Sequence, residues 1–459
     1  MEERKGRRLI LFPLPAVGHI NPMLELAHLL YTKGFSITII QTDFRSLNPS
    51  KYPHFTFHSL FYGFSRSDFE DIPTLLFLFN TRIVEAFREC LGKLLHDASE
   101  SEEPIACLIS DFWYYFTQSV ADSLHLPRIA LRTAGSASTL ALATFPSLKD
   151  KGYLPTPGSQ LNVEEVVAEL PPLRVKDLPL INCKHPEKYY EVVCSSANES
   201  MASSGVIFNS IEELESPELT KLRQKFSVPI FPIGPFHKYF PSGSGSIDSL
   251  VTSDETCISW LNKQEPNSVV YVSFGSVATI SESEFLEAAW GLANSEHPFL
   301  WVVRPGMISG SEWVEPLPSG FLENLGGRGH IVKWAPQQQV MAHPAVAAFW
   351  THSGWNSTME NICEGVPMIC MPFFGDQFVN TRYVSHVWKI GLELEKGSSR
   401  VEIERTIRKL LEENEGKEIR ERSSNLKEKA KRCHEQGGSS YCFLEDLIAH
   451  ILSLESISV

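Results

Sequence analysis

No Cys-x-x-Cys pair occurs among the nine cysteines at 90, 107, 183, 194, 257, 363, 370, 433 and 442, so zinc-site and disulfide-framework spacings are both missing. No stretch reaches the roughly 18 uninterrupted apolar residues of a transmembrane helix. The apolar run Leu9–Leu14 is too short for a signal-peptide core, and Pro13 interrupts it. These absences point to a cytoplasmic protein with reduced thiols and no membrane partner. Beyond the Arg4–Arg8 cluster there is no Lys/Arg run, and the formal net charge is −14; nucleic acid is excluded as a partner, because its binders need a basic face. No Gly-x-Gly-x-x-Gly follows a predicted strand and no Gly-x-x-x-x-Gly-Lys-Ser/Thr occurs, which speaks against dinucleotide and P-loop sites. No Gly-x-Ser-x-Gly elbow supplies a hydrolase nucleophile.

What is present is 459 residues, 43% apolar and 21% charged. That composition is soluble and globular, and the length suits two domains of roughly 200 residues each. Short apolar runs alternate with longer amphipathic ones, the pattern of βαβ units around a parallel sheet. Arg8–Leu14, Ser36–Gln41, Ile105–Ser110, Arg128–Leu131 and Gly205–Phe208 read as strands of the first half. Asn21-Pro22 reads as a helix start, with Asn as N-cap and Pro at the first helical position, and Lys33-Gly34 as its end. Leu60–Phe79, Gly135–Pro157 and Pro171–Met201 read as irregular, aromatic-rich insertions that wall an apolar pocket.

Pro232-Ile-Gly-Pro235 and then Pro241-Ser-Gly-Ser-Gly-Ser246 mark a boundary with linker composition and hinge freedom. Beyond it, Val269–Phe274, Phe299–Val303, His330–Trp334, Val346–Thr351, Pro367–Pro372 and Gly391–Leu394 read as strands. Ser281-x-x-Glu284 reads as a capping box, and Val401 onward as charged helix. The expected division is a domain over 1–240, a linker at 241–253, a second domain over 254–435, and a C-terminal helix at 436–459 packing back on the first domain. The fold class is α/β, two Rossmann-like doubly wound parallel-sheet domains facing each other across a cleft.

Ligands of doubly wound sheets bind beyond the carboxyl ends of the strands, and reactive residues collect there. They are His19, Asp111, Ser276, Trp334, His352 and the pair Asp376-Gln377. His19 is the side chain best suited to act as a base near neutral pH, although a histidine filling a surface turn would look the same. Asp111 either caps the helix that follows or pairs with His19 and fixes its tautomer. With no nucleophile elbow, such a dyad must activate a group that arrives from outside.

The block from Trp334 to Gln377 contains no Lys or Arg, yet it is built for an anion. Thr351-His-Ser-Gly-Trp-Asn-Ser-Thr358 sets small, hydroxyl and amide donors at a strand–helix junction. Free N–H groups and the positive dipole end bind phosphate there without a full charge. His352, Asn356, Ser357 and Ser276 add side-chain donors. Ser357 also fits a capping box with Glu360, and Trp334 either stacks on a base or packs in the core. The residues alone leave two other classes open. One is a dinucleotide-dependent oxidoreductase, opposed by the missing glycine fingerprint; the other is a non-catalytic binder of small hydrophobic molecules.

Trp334-Ala-Pro-Gln337, the Thr351–Thr358 run, Glu360, Glu364-Gly-Val-Pro367 and Phe373-Phe-Gly-Asp-Gln377 resemble the plant secondary-product glycosyltransferase signature in residues and in length. The likeness continues through Gly18-His19-Ile-Asn-Pro22 and Tyr271-Val-Ser-Phe-Gly-Ser276 and covers essentially the whole chain. It is similar to family 1 UDP-glycosyltransferases of the GT-B fold, nearest the branch with cytokinin, auxin-related and steviol-glycoside glucosyltransferases. The resemblance implies an inverting hexosyltransferase with UDP-glucose as donor co-substrate, no permanently bound cofactor and no metal. It implies that Trp334 stacks on uracil, that the backbone of Ala335 reads the base edge, and that Gln337 and Glu360 hold the ribose. His352, Asn356, Ser357 and Ser276 would bind the diphosphate; Trp355, Asp376, Gln377 and Thr133 would lie at the sugar; His19 and Asp111 match the catalytic dyad. A terminal Gln in the signature goes with glucose.

The expected partners are the sugar donor and a small hydrophobic acceptor such as a flavonoid, terpenoid or hormone, bound by a monomer. The expected acceptor lining is Leu14, Val17, Trp113, Phe116, Ser136, Leu140, Phe145, the Tyr190–Met201 segment and Phe374. Three positions depart from the family pattern: Val17 where many relatives carry Gln, Gly375 where a larger residue is common, and Ser353 where Cys is frequent.

Overall fold

A computed structural model describes residues 6–61, 63, 71–99, 103–154, 162–181, 183–240 and 254–454. The expected linker at 241–253 lies outside the described residues. Seven strands form one parallel sheet: β1 (Arg8–Phe12), β2 (Ser36–Thr42), β3 (Phe55–Leu60), β4 (Ile105–Asp111), β5 (Arg128–Arg132), β6 (Gly205–Phe208) and β7 (Ile230–Pro232). Their order is β3-β2-β1-β4-β5-β6-β7, so the chain reverses direction across the sheet between β1 and β4. A second parallel sheet holds β8 (Val269–Ser273), β9 (Phe299–Val302), β10 (Gly329–Val332), β11 (Val346–Thr351), β12 (Met368–Cys370) and β13 (Gly391–Glu393). Its order is β10-β9-β8-β11-β12-β13, and its switch point falls between β8 and β11. Two Rossmann-like, doubly wound sheets are therefore present. Every residue of β4 and of β11 is buried, as expected for parallel strands covered on both faces, which read as continuous apolar runs.

The chain divides into two compact units, one of Met1–Leu161, Leu180–Leu250 and Cys433–Val459, the other of Asn162–Pro179 and Val251–Arg432. Residues 162–179, assigned from sequence to the first domain, thus belong with the second unit. The last described helix, Ser439–Ser453, buries Leu444, Leu447, Ile448 and Ile451 in the core cluster that also holds Leu9, Leu11, Ile37 and Ile39.

The structure corrects four local expectations. The first helix runs Val17–Thr32 and starts before Asn21, with Pro22 inside it. The Ala16 carbonyl accepts from the N–H groups of both His19 (2.9 Å) and Ile20 (2.8 Å), so the helix closes there. Pro22 then forgoes one ladder bond in an early turn. The segments expected to be irregular contain helices at Ile72–Arg82, Ser136–Ala143, Phe145–Asp150 and Pro186–Met201. Residues 62, 64–70, 155–161 and 182 lie outside the described residues. Strands β3 and β7 have no counterpart among the expected strands. The former alternates polar and apolar residues at the sheet edge, and the latter is three residues ending in proline. Lastly, the Ser281–Glu284 capping box forms, whereas the one considered for Ser357 and Glu360 does not. The helix at that point, Trp355–Glu364, is capped by Gly354.

Candidate active site

In the first unit three side chains meet beyond the carboxyl ends of β1, β4 and β5, at the switch point. Phe12 of β1 pairs with Ser110 of β4, and Asp111 with Leu131 of β5, so the residues that follow share one sheet edge. Asp111 ends β4 fully buried. Its Oδ1 accepts from the Trp113 N–H at 3.0 Å, and its Oδ2 lies 2.7 Å from His19 Nδ1. Thr133, the residue after β5, puts its hydroxyl 3.0 Å from the same nitrogen. The carboxylate therefore favours the tautomer with Nδ1–H and leaves Nε2 as the basic nitrogen. The His19 side chain keeps 22% of its surface exposed and Asp111 1%, which is the division of labour a base and its orienting acid need. The Thr133 hydroxyl thus lies on the dyad.

Nearby, Leu14 and Phe116 belong to the hydrophobic core with Phe12, Phe87 and Tyr114, so for these two the packing role is established. Phe145 is 1% exposed and likewise core. Two buried charges support the edge from behind. Arg128 donates through Nε to Ser110 Oγ at 2.8 Å, and burial pushes its guanidinium down to about 10. Glu215, fully buried, accepts from the N–H groups of Ser136 (2.9 Å) and Ala137 (3.0 Å) and from the Ser210 hydroxyl (2.5 Å). It thereby caps the helix Ser136–Ala143 that begins just after Thr133. Sequence reasoning missed Glu215, whose partners lie 78 and 79 residues upstream.

In the second unit the candidate donor residues follow β8, β10, β11 and β12. Beyond β11, His352, Ser353 and Gly354 lead into the helix Trp355–Glu364. Ser353 has a φ of 61° and Gly275, beyond β8, a φ of 71°. The Nε2 end of the His352 ring lies against two glycines: a Cβ on Gly275 would come 2.5 Å from His352 Nε2, and one on Gly354 would overlap it as well. Burial pushes His352 down to about 4, so it is neutral at physiological pH, and its Nδ1 is buried without a hydrogen-bond partner among the described residues. Ser276 sits in the turn beside Gly275.

Gln337, at the start of the short helix after β10, ties the set together. Its Nε2 donates to Ser357 Oγ (2.8 Å) and Glu360 Oε2 (2.6 Å), while Tyr271 OH donates to its Oε1 at 3.3 Å. Trp334 is half-buried against the cluster that contains Ala335, Tyr271 and Phe349. Trp355 is buried, at 4% exposure, as the first residue of the helix Trp355–Glu364.

Asp376 and Gln377 open the helix Asp376–Arg382, preceded by Gly375 at φ 63° and ψ −134°. That backbone conformation is one only glycine adopts without strain. Gln377 Oε1 accepts from the N–H groups of Phe373 (2.8 Å) and Phe374 (3.2 Å), which fixes the orientation of its amide. Asn380, a residue sequence reasoning missed, donates from Nδ2 to Asp376 Oδ2 at 3.0 Å and to the Ser353 carbonyl at 2.9 Å. Its spacing of four from Asp376 on a helix was the available signal.

A partly exposed histidine on a buried aspartate at one switch point and, at the other, a strand–helix junction without Lys or Arg are the parts of a nucleotide-sugar-dependent glycosyltransferase of the GT-B fold. The chain belongs to the UDP-glucoronosyl and UDP-glucosyl transferase family, whose model matches residues 93–430, and it is a glycosyltransferase that uses a UDP-sugar donor. It is 50% identical over 456 residues to UDP-glycosyltransferase 76B1 of Arabidopsis thaliana, covering 99% of this chain and 100% of that one. It is 46% identical to UDP-glycosyltransferase 76G1 of Stevia rebaudiana, with 98% of each covered. It is 42% identical to the flavonol 3-O-glucosyltransferase UGT76E12 of Arabidopsis thaliana, with 99% of each covered. Among solved structures it is similar to Phytolacca americana UGT2 complexed with UDP-2fluoro-glucose and pterostilbene, with a TM-score of 0.81, 26% identity and coverage of 97% and 99%. Family membership sets aside the oxidoreductase and the non-catalytic binder. Among the described residues no helix is long and apolar enough to cross a membrane.

Proposed function

We propose that the enzyme transfers glucose from UDP-glucose to a hydroxyl, nitrogen or carboxyl group of a small hydrophobic plant metabolite, giving a β-glucoside. The observation that carries this reading is the 2.7 Å contact between His19 Nδ1 and the buried Asp111 carboxylate. It leaves Nε2 to take the acceptor proton while the carboxylate stabilises the imidazolium that forms. The acceptor oxygen then bonds to the anomeric carbon as that carbon's bond to the diphosphate oxygen breaks, and UDP leaves with the electron pair. Attack opposite the leaving group inverts the α-linked donor. Thr133, at 3.0 Å from the same nitrogen, steadies the ring as a second partner.

The nucleotide is assigned to Trp334, Ala335, Gln337 and Glu360, the diphosphate to Ser276, His352, Asn356 and Ser357, and the sugar to Trp355, Asp376 and Gln377. The buried, unpartnered Nδ1 of His352 fits a phosphate oxygen as its missing partner. Preorganised neutral dipoles at a helix end stabilise the departing diphosphate, so no metal is required and turnover persists in excess EDTA. Support for glucose comes from Gln377 and from the glucosyltransferases among the relatives; support for a hydrophobic acceptor comes from the pterostilbene bound by the Phytolacca enzyme. A cytoplasmic monomer completes the reading. The test is UDP release from UDP-glucose over a panel of phenolic and terpenoid acceptors, for the wild type and for His19→Ala. Turnover by the wild type with loss of about a thousandfold or more in His19→Ala, donor binding intact, is expected.

A further inference from the structure

The segment Asn162–Pro179 is embedded in the sequence of the first unit, between the helices Phe145–Asp150 and Pro186–Met201, yet it packs with the second unit. It is held there by charge. Arg174 donates to both oxygens of Asp177, Nε to Oδ2 at 2.8 Å and Nη2 to Oδ1 at 2.9 Å, and reaches Glu393 of β13 at 3.5 Å. Asp177 in turn lies 3.6 Å from Arg382, whose Nε donates to the Pro172 carbonyl at 3.1 Å. The side chains of Arg174, Asp177 and Arg382 are only 15%, 7% and 14% exposed. The Arg174–Asp177–Arg382 pairs are largely desolvated, unlike surface ion pairs that contribute little, whereas Glu393 keeps 35% of its side chain exposed. Arg382 is the last residue of the helix whose first two residues are Asp376 and Gln377. A helix this short is a rigid lever of about 9 Å.

We propose that Asn162–Pro179 is a strap that positions the donor-sugar residues, with Asp177 and the Pro172 carbonyl gripping Arg382 and so setting the pose of Asp376 and Gln377. The strap acts chiefly on the sugar. Asp376 and Gln377 stand on the gripped helix itself, whereas that helix meets the phosphate turn after β11 through the bond from Asn380 Nδ2 to the Ser353 carbonyl. The strap makes the sugar's share of donor affinity depend on a segment that the chain places next to the acceptor-side helix Pro186–Met201. This inference rests on Asp376 and Gln377 being the sugar ligands.

The experiment is calorimetric titration of the full chain, without acceptor, with UDP and with UDP-glucose, for the wild type, Arg382→Ala, Asp177→Asn and Gln377→Ala. Arg382→Ala is expected to weaken UDP-glucose by roughly tenfold, well within what a misplacement near 1 Å costs, while UDP stays within about twofold; Arg382→Lys, which keeps the charge but not the Nε donation, falls between. Equal weakening of UDP and UDP-glucose, or of neither, in Arg382→Ala and Asp177→Asn overturns the strap. If Gln377→Ala leaves the UDP-glucose to UDP ratio unchanged, the sugar-ligand reading itself fails. Should Arg382→Ala not fold, Asp177→Asn, which keeps the side-chain volume, decides alone.

Discussion

His352 shows how much of the phosphate site is decided by side chains that are not there. Its ring fits because positions 275 and 354 have no Cβ, and it stays neutral because burial pushes it down to about 4. Gly354 has an ordinary φ of −61°, so alanine there introduces a steric change with little backbone strain. The N-cap swap itself costs roughly 1 kcal/mol or less, and seating the methyl against the buried His352 ring adds about 1–3 kcal/mol. Gly354→Ala is expected to keep its helical signal by circular dichroism and to lose about ten- to a hundredfold in kcat/KM; steady-state kinetics against UDP-glucose checks this. The residue types of the site were legible because each is chemically unusual where it stands: a histidine, an aspartate or a Gln at a strand end. Glycines acting as space were not legible, since Gly354 in sequence looks only like a turn residue.

The helices carry the second layer of the site, and there the sequence was a poorer guide. Asn21-Pro22 is a strong local start signal, yet the helix begins at Val17. That start puts His19 in the first turn, within reach of Asp111. Glu215 is the sharper case. It sits in the acidic run Glu212-Glu-Leu-Glu215, which reads as a solvated helix face, but a kink at Glu215 (φ −127°, ψ 29°) turns its carboxylate inward onto the Ser136 helix. Burial raises its pKa above the usual carboxylate range, and the three donors hold it in place. Nothing local signals this, because the contacts that define it are made between segments far apart in sequence. Glu215→Ala leaves two buried N–H groups without partners and is expected to cost about 3 kcal/mol. Urea denaturation measures it; a loss below about 0.5 kcal/mol, the range of neutral surface changes, contradicts the capping role.

Across the whole molecule, the division into two sheets was legible because the strand–helix alternation restarts after Pro235. The placement of 162–179 was not, because that segment has no periodicity and, besides a 3-10 turn at Val175–Asp177, a single antiparallel bridge between Val166 and Arg174. Acid sensitivity is also a property of the whole chain. Burial pushes His352 and His434 down to about 4 and His237 down to about 3, with Lys238 adding to the last two. In the unfolded chain each titrates near 6.5. As pH falls below 6.5 the unfolded chain takes up protons that the folded one refuses. Stability therefore drops through the window down to about 4 and levels off only when the folded state protonates too. The urea midpoint is expected to be lower at about pH 5 than at about pH 7, and His434→Phe, whose ring would still pack on Tyr239, should flatten that dependence.

The central claim is that a His19–Asp111 dyad drives inverting transfer from a UDP-sugar, and the anomeric configuration of the product tests it most directly. Proton NMR of the glucoside made from UDP-glucose and a phenolic acceptor is expected to show the large anomeric coupling of a β-linkage with the wild type and no product with His19→Ala. An α-glucoside, or undiminished product from His19→Ala, would contradict the account.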